Sequence, residues 1–119
     1  MNFLVVDMSS TGKKMLSSLI TKEDELVESD GQSAFKELTK QGFDLILVDL
    51  DNESSQGAAF VRKVKGNSIL KRKKIAVLVE KLETAKGKFD STVLVVQKSE
   101  EKIKELVEKT RKEKEPKQS

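Results

Sequence analysis

Two short apolar runs in this sequence end on a carboxylate: Phe3-Leu4-Val5-Val6-Asp7 and Phe43-Asp44-Leu45-Ile46-Leu47-Val48-Asp49. Runs this short and this rich in Leu, Ile and Val suit strands buried on both faces of a parallel sheet. The closing Asp then stands at the carboxyl edge of that sheet, where open α/β folds place their sites. Asp7 and Asp49 on one edge make the skeleton of a phosphoryl-acceptor or cation site. Asp51, two positions beyond Asp49, either completes a weak three-carboxylate cation site with them or points to solvent in an Asp-Asn turn. If such carboxylates cluster without a metal, each should raise the pKa of the others. Three readings of Asp49 stay open: a working acceptor, a vestige, or a residue kept for sheet-edge hydrogen bonding.

Composition removes other chemistries. The chain has no His and no Cys, which excludes imidazole acid–base work, thiolate metal sites and disulfides. A core for 119 residues with five Phe and no Trp or Tyr must come mainly from Leu, Val, Ile and Met. The net charge of +3 is small, and charges of both signs are interspersed, as on a solvated surface. The N-terminal apolar run is too short for a signal peptide or a membrane span, so a cytoplasmic location and no membrane partner are expected. No phosphate-binding glycine loop, nucleophile elbow or metal-spaced cluster occurs.

The elements that must position these carboxylates alternate. Strand-like runs recur at Phe3–Val6, Glu25–Glu28, Phe43–Val48, Ile75–Val79 and Val93–Val96. Ser9, Ser10 and Thr11 can cap a first helix with Met15, Leu16, Leu19 and Ile20 on its apolar face. Asp30-Gly31 precedes a second helix carrying Ala34, Phe35 and Leu38, and a third follows Gly57 with Ala58, Val61 and Val64. A last helix from about Ser99 has Glu100 and Glu101 in its first turn and basic residues in its last. Its inward stripe is Ile103, Leu106, Val107 and Thr110. The stretch from Glu80 to Ser91 is short and holds Gly87, so the fourth helix should be short or absent. Residues 1–111 read as one domain, and the apolar-free stretch 112–119, with Pro116, as a disordered charged tail. Alternating strands and helices predict right-handed crossovers and a parallel sheet covered on both faces.

Three segments carry a resemblance: FLVVDMSSTGKKML, LVESDGQSAFKEL and FDLILVDLDN. In this order and spacing they resemble the receiver domain of two-component response regulators, above all the single-domain chemotaxis type, over about residues 2–111. The resemblance implies a flavodoxin-like α/β fold with five parallel strands in the order 2-1-3-4-5. It implies Asp49 as the phospho-acceptor position and Gly57 as the glycine that opens the third helix. Several positions depart from the family's pattern. The acidic pair after the first strand reads Asp7-Met8, which removes the more direct Mg²⁺ ligand. The hydroxyl ending the fourth strand falls on Val79, and the small residue after it on Glu80. The fifth-strand Lys-Pro falls on Gln97-Lys98, so the lysine is replaced by Gln97 unless Lys98 reaches in from one position later. The aromatic switch residue falls on Leu94, and the Pro after the acceptor on Glu53. Each lost electrostatic contributor at such a site commonly costs about 3–4 kcal/mol of transition-state stabilisation.

The expectation is therefore a stand-alone atypical receiver that is no enzyme and acts by binding other signalling proteins, with phosphorylation lost or strongly impaired. The alternative is a functional receiver phosphorylated on Asp49 by a histidine kinase. No cofactor is expected beyond a weak Mg²⁺ site at Asp7, Asp49 and Asp51. Partners implied by the resemblance are a histidine kinase or a downstream target, with homodimerisation open. Leu94, Ile103, Lys104 and Val107 mark the partner face, although part of that set must be core. Lys71-Arg72-Lys73-Lys74 is the densest basic run. It reads as a solvated loop that discourages aggregation, or as a contact for acidic groups or phosphates. The tail has no aromatic interleaving, so nucleic acid is not an expected partner.

Overall fold

A computed structural model of the chain describes residues 1–51, 56–89 and 91–114. Five strands alternate with helices: β1 (Asn2–Val6), α1 (Ser10–Ser17), β2 (Glu25–Ser29), α2 (Ala34–Lys40), β3 (Leu45–Asp49), α3 (Gly57–Lys65), β4 (Ile75–Val79), β5 (Leu94–Gln97) and α4 (Glu100–Lys114). All strand pairs are parallel, and the order is β2-β1-β3-β4-β5. This is the parallel, doubly covered sheet that the alternation predicts, in the flavodoxin-like order that the resemblance implies.

The period of two along each strand sorts side chains between two cores. Leu4, Val6, Ile46, Val48, Ile75 and Val77 face one layer, where they meet Ala34 and Leu38 of α2 and Phe60, Val61 and Val64 of α3. Phe3, Val5, Leu45, Leu47, Ala76 and Leu78 face the other, against Leu16 of α1 and Ile103, Leu106 and Val107 of α4. Every residue of β3 and β4 is buried, while the edge strands β2 and β5 are largely exposed. That contrast is what a parallel sheet covered on both faces requires of its centre and its rims.

Among the described residues of the crossover between β4 and β5 there is a 3₁₀ turn, Leu82–Ala85, in place of a helix, as Gly87 and the short spacing foretell. Several boundaries differ from the sequence reading: α1 ends at Ser17, so Leu19 and Ile20 lie past its end, and β5 runs Leu94–Gln97 and not Val93–Val96. β3 starts at Leu45, because the carboxylate of Asp44 accepts a bond from the Asn2 amide (2.7 Å) at the sheet's lower rim. α4 runs through Lys114, three residues past the expected end, held by Lys74–Glu113 and Lys114–Asp44 pairs at 2.9 Å. The rest of the expected tail lies outside the described residues.

One tie spans nearly the whole sequence. Asp24, between α1 and β2, has a side chain sealed from solvent and receives Arg111 of α4 in a two-pronged contact, Nη1 to Oδ1 at 2.8 Å and Nη2 to Oδ2. The Thr21 amide (2.8 Å) and hydroxyl (3.1 Å) bind the same carboxylate. These contacts, the Arg111 bond foremost, hold the Asp24 carboxyl far below the ordinary carboxylate range against the opposing effect of burial. The pair clamps α4 onto the amino end of the sheet. No described helix is long and apolar enough to cross a membrane.

Candidate functional site

The parallel sheet delivers Asp7, Asp49 and Lys98 to its carboxyl edge, each just at or past a strand end. Asp49 is fully buried, and its carboxylate is saturated with donors. Lys98 Nζ lies 2.7 Å from Oδ2, the Ser9 amide donates to Oδ2 at 2.9 Å, and the Asp51 amide donates to Oδ1 at 3.0 Å. Burial pushes the Asp49 carboxyl up. The Lys98 hydrogen bond, the two amides and the lysine charge outweigh that, and the group ends below the ordinary carboxylate value. The mutual raising expected of clustered carboxylates does not occur at Asp49, because a cation and not a second carboxylate faces it.

Of the two readings left open for the lysine, the geometry favours Lys98. Gln97, the last residue of β5, is exposed and pairs in register with Val79, whereas Lys98 turns inward once the strand has ended. The Lys98 amide donates to the Val79 carbonyl at 2.7 Å, which anchors the turn. A lysine is therefore present at the acceptor, one residue later than the family's spacing implies.

Ser9 joins the same cluster, a role that sequence reasoning missed beyond its capping. Its extended backbone (φ −68°, ψ 162°) lets its hydroxyl accept from the Gly12 amide at 3.2 Å as the N-cap of α1. The same hydroxyl receives Lys98 Nζ at 2.7 Å. A hydroxyl thus sits beside the acceptor although Val79, at the family's hydroxyl position, is buried and apolar.

The three-carboxylate alternative for Asp7, Asp49 and Asp51 finds no such cluster among the described residues. Asp7 has a left-handed backbone (φ 52°), a conformation that Asp tolerates better than most residues. Its Oδ2 accepts from the amides of Gly31 (3.1 Å) and Gln56 (3.0 Å), so it ties the turn before α2 to the entry of α3. Gly31 is needed there, since a Cβ would lie 2.7 Å from Gln56 Cβ. Met8 sends its thioether into the core between the sheet, α1 and α4, 7% exposed. Gly12 makes the space: a Cβ there would stand 2.9 Å from Met8 Cγ. Asp51 is exposed, and desolvation, with the Asp49 and Glu80 charges adding to it, raises its carboxyl against the Glu80 amide and Lys98. Among the described residues no group of three or more acidic side chains is placed to hold a metal ion. The donors present therefore do not fit the Mg²⁺ that the receiver resemblance implies: one carboxylate is bound by amides, one is paired with lysine, and Met8 is no oxygen ligand. Glu53 lies outside the described residues.

The partner-face set divides. Ile103 and Val107 are 1% and 2% exposed and belong to the core, because the inward stripe of α4 repeats at those positions. Lys104 is exposed on the outer face of the helix, and Leu94 is 38% exposed on β5. Leu82 (51%) and Val95 (37%) join Leu94 as exposed apolar residues where the fourth helix is reduced. Together with Leu106 they line a groove of about 360 Å³ between the 3₁₀ turn, β5 and α4.

Five parallel strands in the order 2-1-3-4-5 with helices on both faces give the fold of response-regulator receiver domains. Solved structures carry the same fold. The chain is similar to the chemotaxis response regulator CheY4 of Vibrio cholerae at 22% identity, over 92% of this chain and 97% of that one, with a TM-score of 0.73. It is similar to the receiver domain of a signal transduction histidine kinase from Syntrophus aciditrophicus at 19% identity, over 99% and 95% of the two chains, with a TM-score of 0.70. The Mn²⁺-bound response regulator Rcp1 matches at 22% identity, over 91% and 89%, with a TM-score of 0.63. No protein-family model matches the sequence, and no curated protein does.

Proposed function

We propose that this chain is an atypical receiver of a two-component signalling system, acting in the cytoplasm by protein–protein contact and not as an enzyme, with phosphorylation of Asp49 lost or strongly impaired. The observation that carries this reading is the fate of the two residues after β1. Asp7 is bound to two backbone amides and Met8 is packed in the core. Phosphoryl transfer to a carboxylate needs cations that neutralise charge growing on the phosphoryl oxygens. Here one lysine supplies that charge, and among the described residues no carboxylate set is placed for a divalent ion. Leu82, Leu94 and Val95 offer an apolar face for a histidine kinase or a downstream target.

A second reading is favoured by one specific observation. Lys98 and the Ser9 hydroxyl restore, from shifted positions, two groups that receivers use, so an active acceptor at Asp49 is the alternative. Incubation with Mg²⁺ and acetyl phosphate, read by intact mass, separates the two. The proposed function expects no phosphoryl adduct; a prompt adduct that disappears in Asp49→Asn would establish the alternative.

A further inference from the structure

The strongest concentration of positive charge lies at the opposite edge of the sheet from Asp49. Lys71, Arg72, Lys73 and Lys74 lead into β4, and with Lys65 of α3 and Lys109 of α4 they line one open cleft of about 610 Å³. Glu113 is the one carboxylate in its described wall, so six cations against one anion leave +5 in the cleft, while the whole chain carries +3. The loop that presents these charges is fixed. Asn67 Oδ1 accepts from the amides of Ile69 (2.9 Å) and Leu70 (3.0 Å), and Lys65 Nζ donates to the Lys71 carbonyl at 3.0 Å. The Lys71 and Lys73 amides close further turns onto Asn67 and Leu70.

Little of this charge is neutralised within the protein. Lys74 pairs with Glu113 at 2.9 Å, but Lys71, Arg72 and Lys73 make no ion pair among the described residues. A concavity lined by one sign of charge focuses its field and concentrates counter-ions. The rest of the wall is Thr92 and Leu94, with no aromatic ring, so a platform for stacking bases is missing. The charge is gathered in one hollow and not drawn out along a stripe, which suits a compact polyanion better than a duplex. Arg72 offers a planar fork for tetrahedral oxyanions, and the lysines offer point charges around it.

We propose that this cleft binds a compact oligophosphate, either a free chain of condensed phosphates or the polyphosphate portion of a nucleotide. The site is independent of the chemistry at Asp49. The test is titration of the ¹⁵N-labelled full chain with tripolyphosphate, with a nucleoside triphosphate and with orthophosphate at one ionic strength. Saturable shifts are expected at the amides of Lys71 to Lys74 and of Thr92. Orthophosphate should bind roughly tenfold more weakly or worse, and affinity should fall steeply with salt. Lys71→Gln with Lys109→Gln, both exposed positions, should weaken tripolyphosphate binding roughly tenfold with an unchanged melting profile, while Lys88→Gln should leave it intact. Equal affinity for tripolyphosphate and the nucleotide assigns the free chain, and tighter nucleotide binding assigns the nucleotide. Absence of saturable shifts, binding that survives in the double variant, or tighter binding of a short DNA duplex to the same residues overturns the proposal.

Discussion

Lys98 Nζ stands 2.7 Å from Asp49 Oδ2, and both side chains are nearly closed to solvent, 6% and 0% exposed. A buried ion pair gains little over apolar packing, but breaking one side of it is expensive, because the remaining charge loses its partner in a dry place. Lys98→Met is therefore expected to destabilise the fold by about 3 kcal/mol. Combining it with Asp49→Asn should recover part of that loss, since both charges are then gone. Gln97→Ala, at the exposed neighbouring position, should change stability by less than about 0.5 kcal/mol. Urea denaturation of the wild type and the three variants checks this; equal effects at the two neighbouring positions would contradict the assignment of Lys98.

The fit of Met8 against Gly12 makes a second expectation. Alanine favours a helix over glycine by about 1 kcal/mol, so Gly12→Ala would ordinarily stabilise α1. Here its Cβ meets Met8 Cγ at 2.9 Å, and overpacking of a buried side chain costs about 1–3 kcal/mol. Gly12→Ala alone should therefore lower the melting temperature. Its effect should turn favourable in a Met8→Ala background, where the space is open. Additive effects in this double-mutant cycle would mean that the two residues do not compete for one volume.

Acid stability follows from Asp24 and Asp49, whose carboxyls both lie below the ordinary value of 3.8. A carboxyl with a depressed folded pKa contributes stability that is fully present above its unfolded value and is lost as pH falls toward the folded one. Arg111→Met removes the largest contact lowering Asp24. Because Arg111 is partly exposed, with 29% of its side chain accessible, the loss near neutrality should be about 2 kcal/mol, at the lower end for such pairs. The gap between wild type and variant should shrink as pH drops below 3.8. Melting temperature followed against pH measures it, and a gap that does not change with pH would contradict the account.

The alternation of strands and helices, the carboxylate closing β3 and the thin fourth crossover were legible in hydrophobic period and turn residues, whereas the strand order comes only from the receiver resemblance. The site was only half legible. Counting positions along β5 lands on Gln97, yet alternation ceases where the strand stops, and the next side chain can turn either way. Nothing local to Lys98 reveals which way it turned. Met8 reads from sequence as a lost ligand, whereas in the fold it is a core residue whose partner is a glycine one helical turn on. Asp24 sits in the charged run Lys22-Glu23-Asp24-Glu25, where nothing local sets it apart from its neighbours. Its partner Arg111 is 87 residues away, a distance over which period and spacing carry no signal. Ile103 and Val107 stand in the sequence reading both on the inward stripe of α4 and, with Lys104, on the partner face, and the fold places them in the core.

The central claim is that Asp49 is held by Lys98 and two amides in place of a divalent cation. Side-chain carboxyl NMR of the aspartates, titrated with pH and then with millimolar Mg²⁺, tests it most directly. The Asp49 carboxyl should titrate below the ordinary carboxylate range, and the Asp7, Asp49 and Asp51 signals should stay in place as Mg²⁺ is added. Saturable movement of the Asp7 and Asp49 signals with Mg²⁺ would show that the carboxylates bind a cation together and would contradict the account.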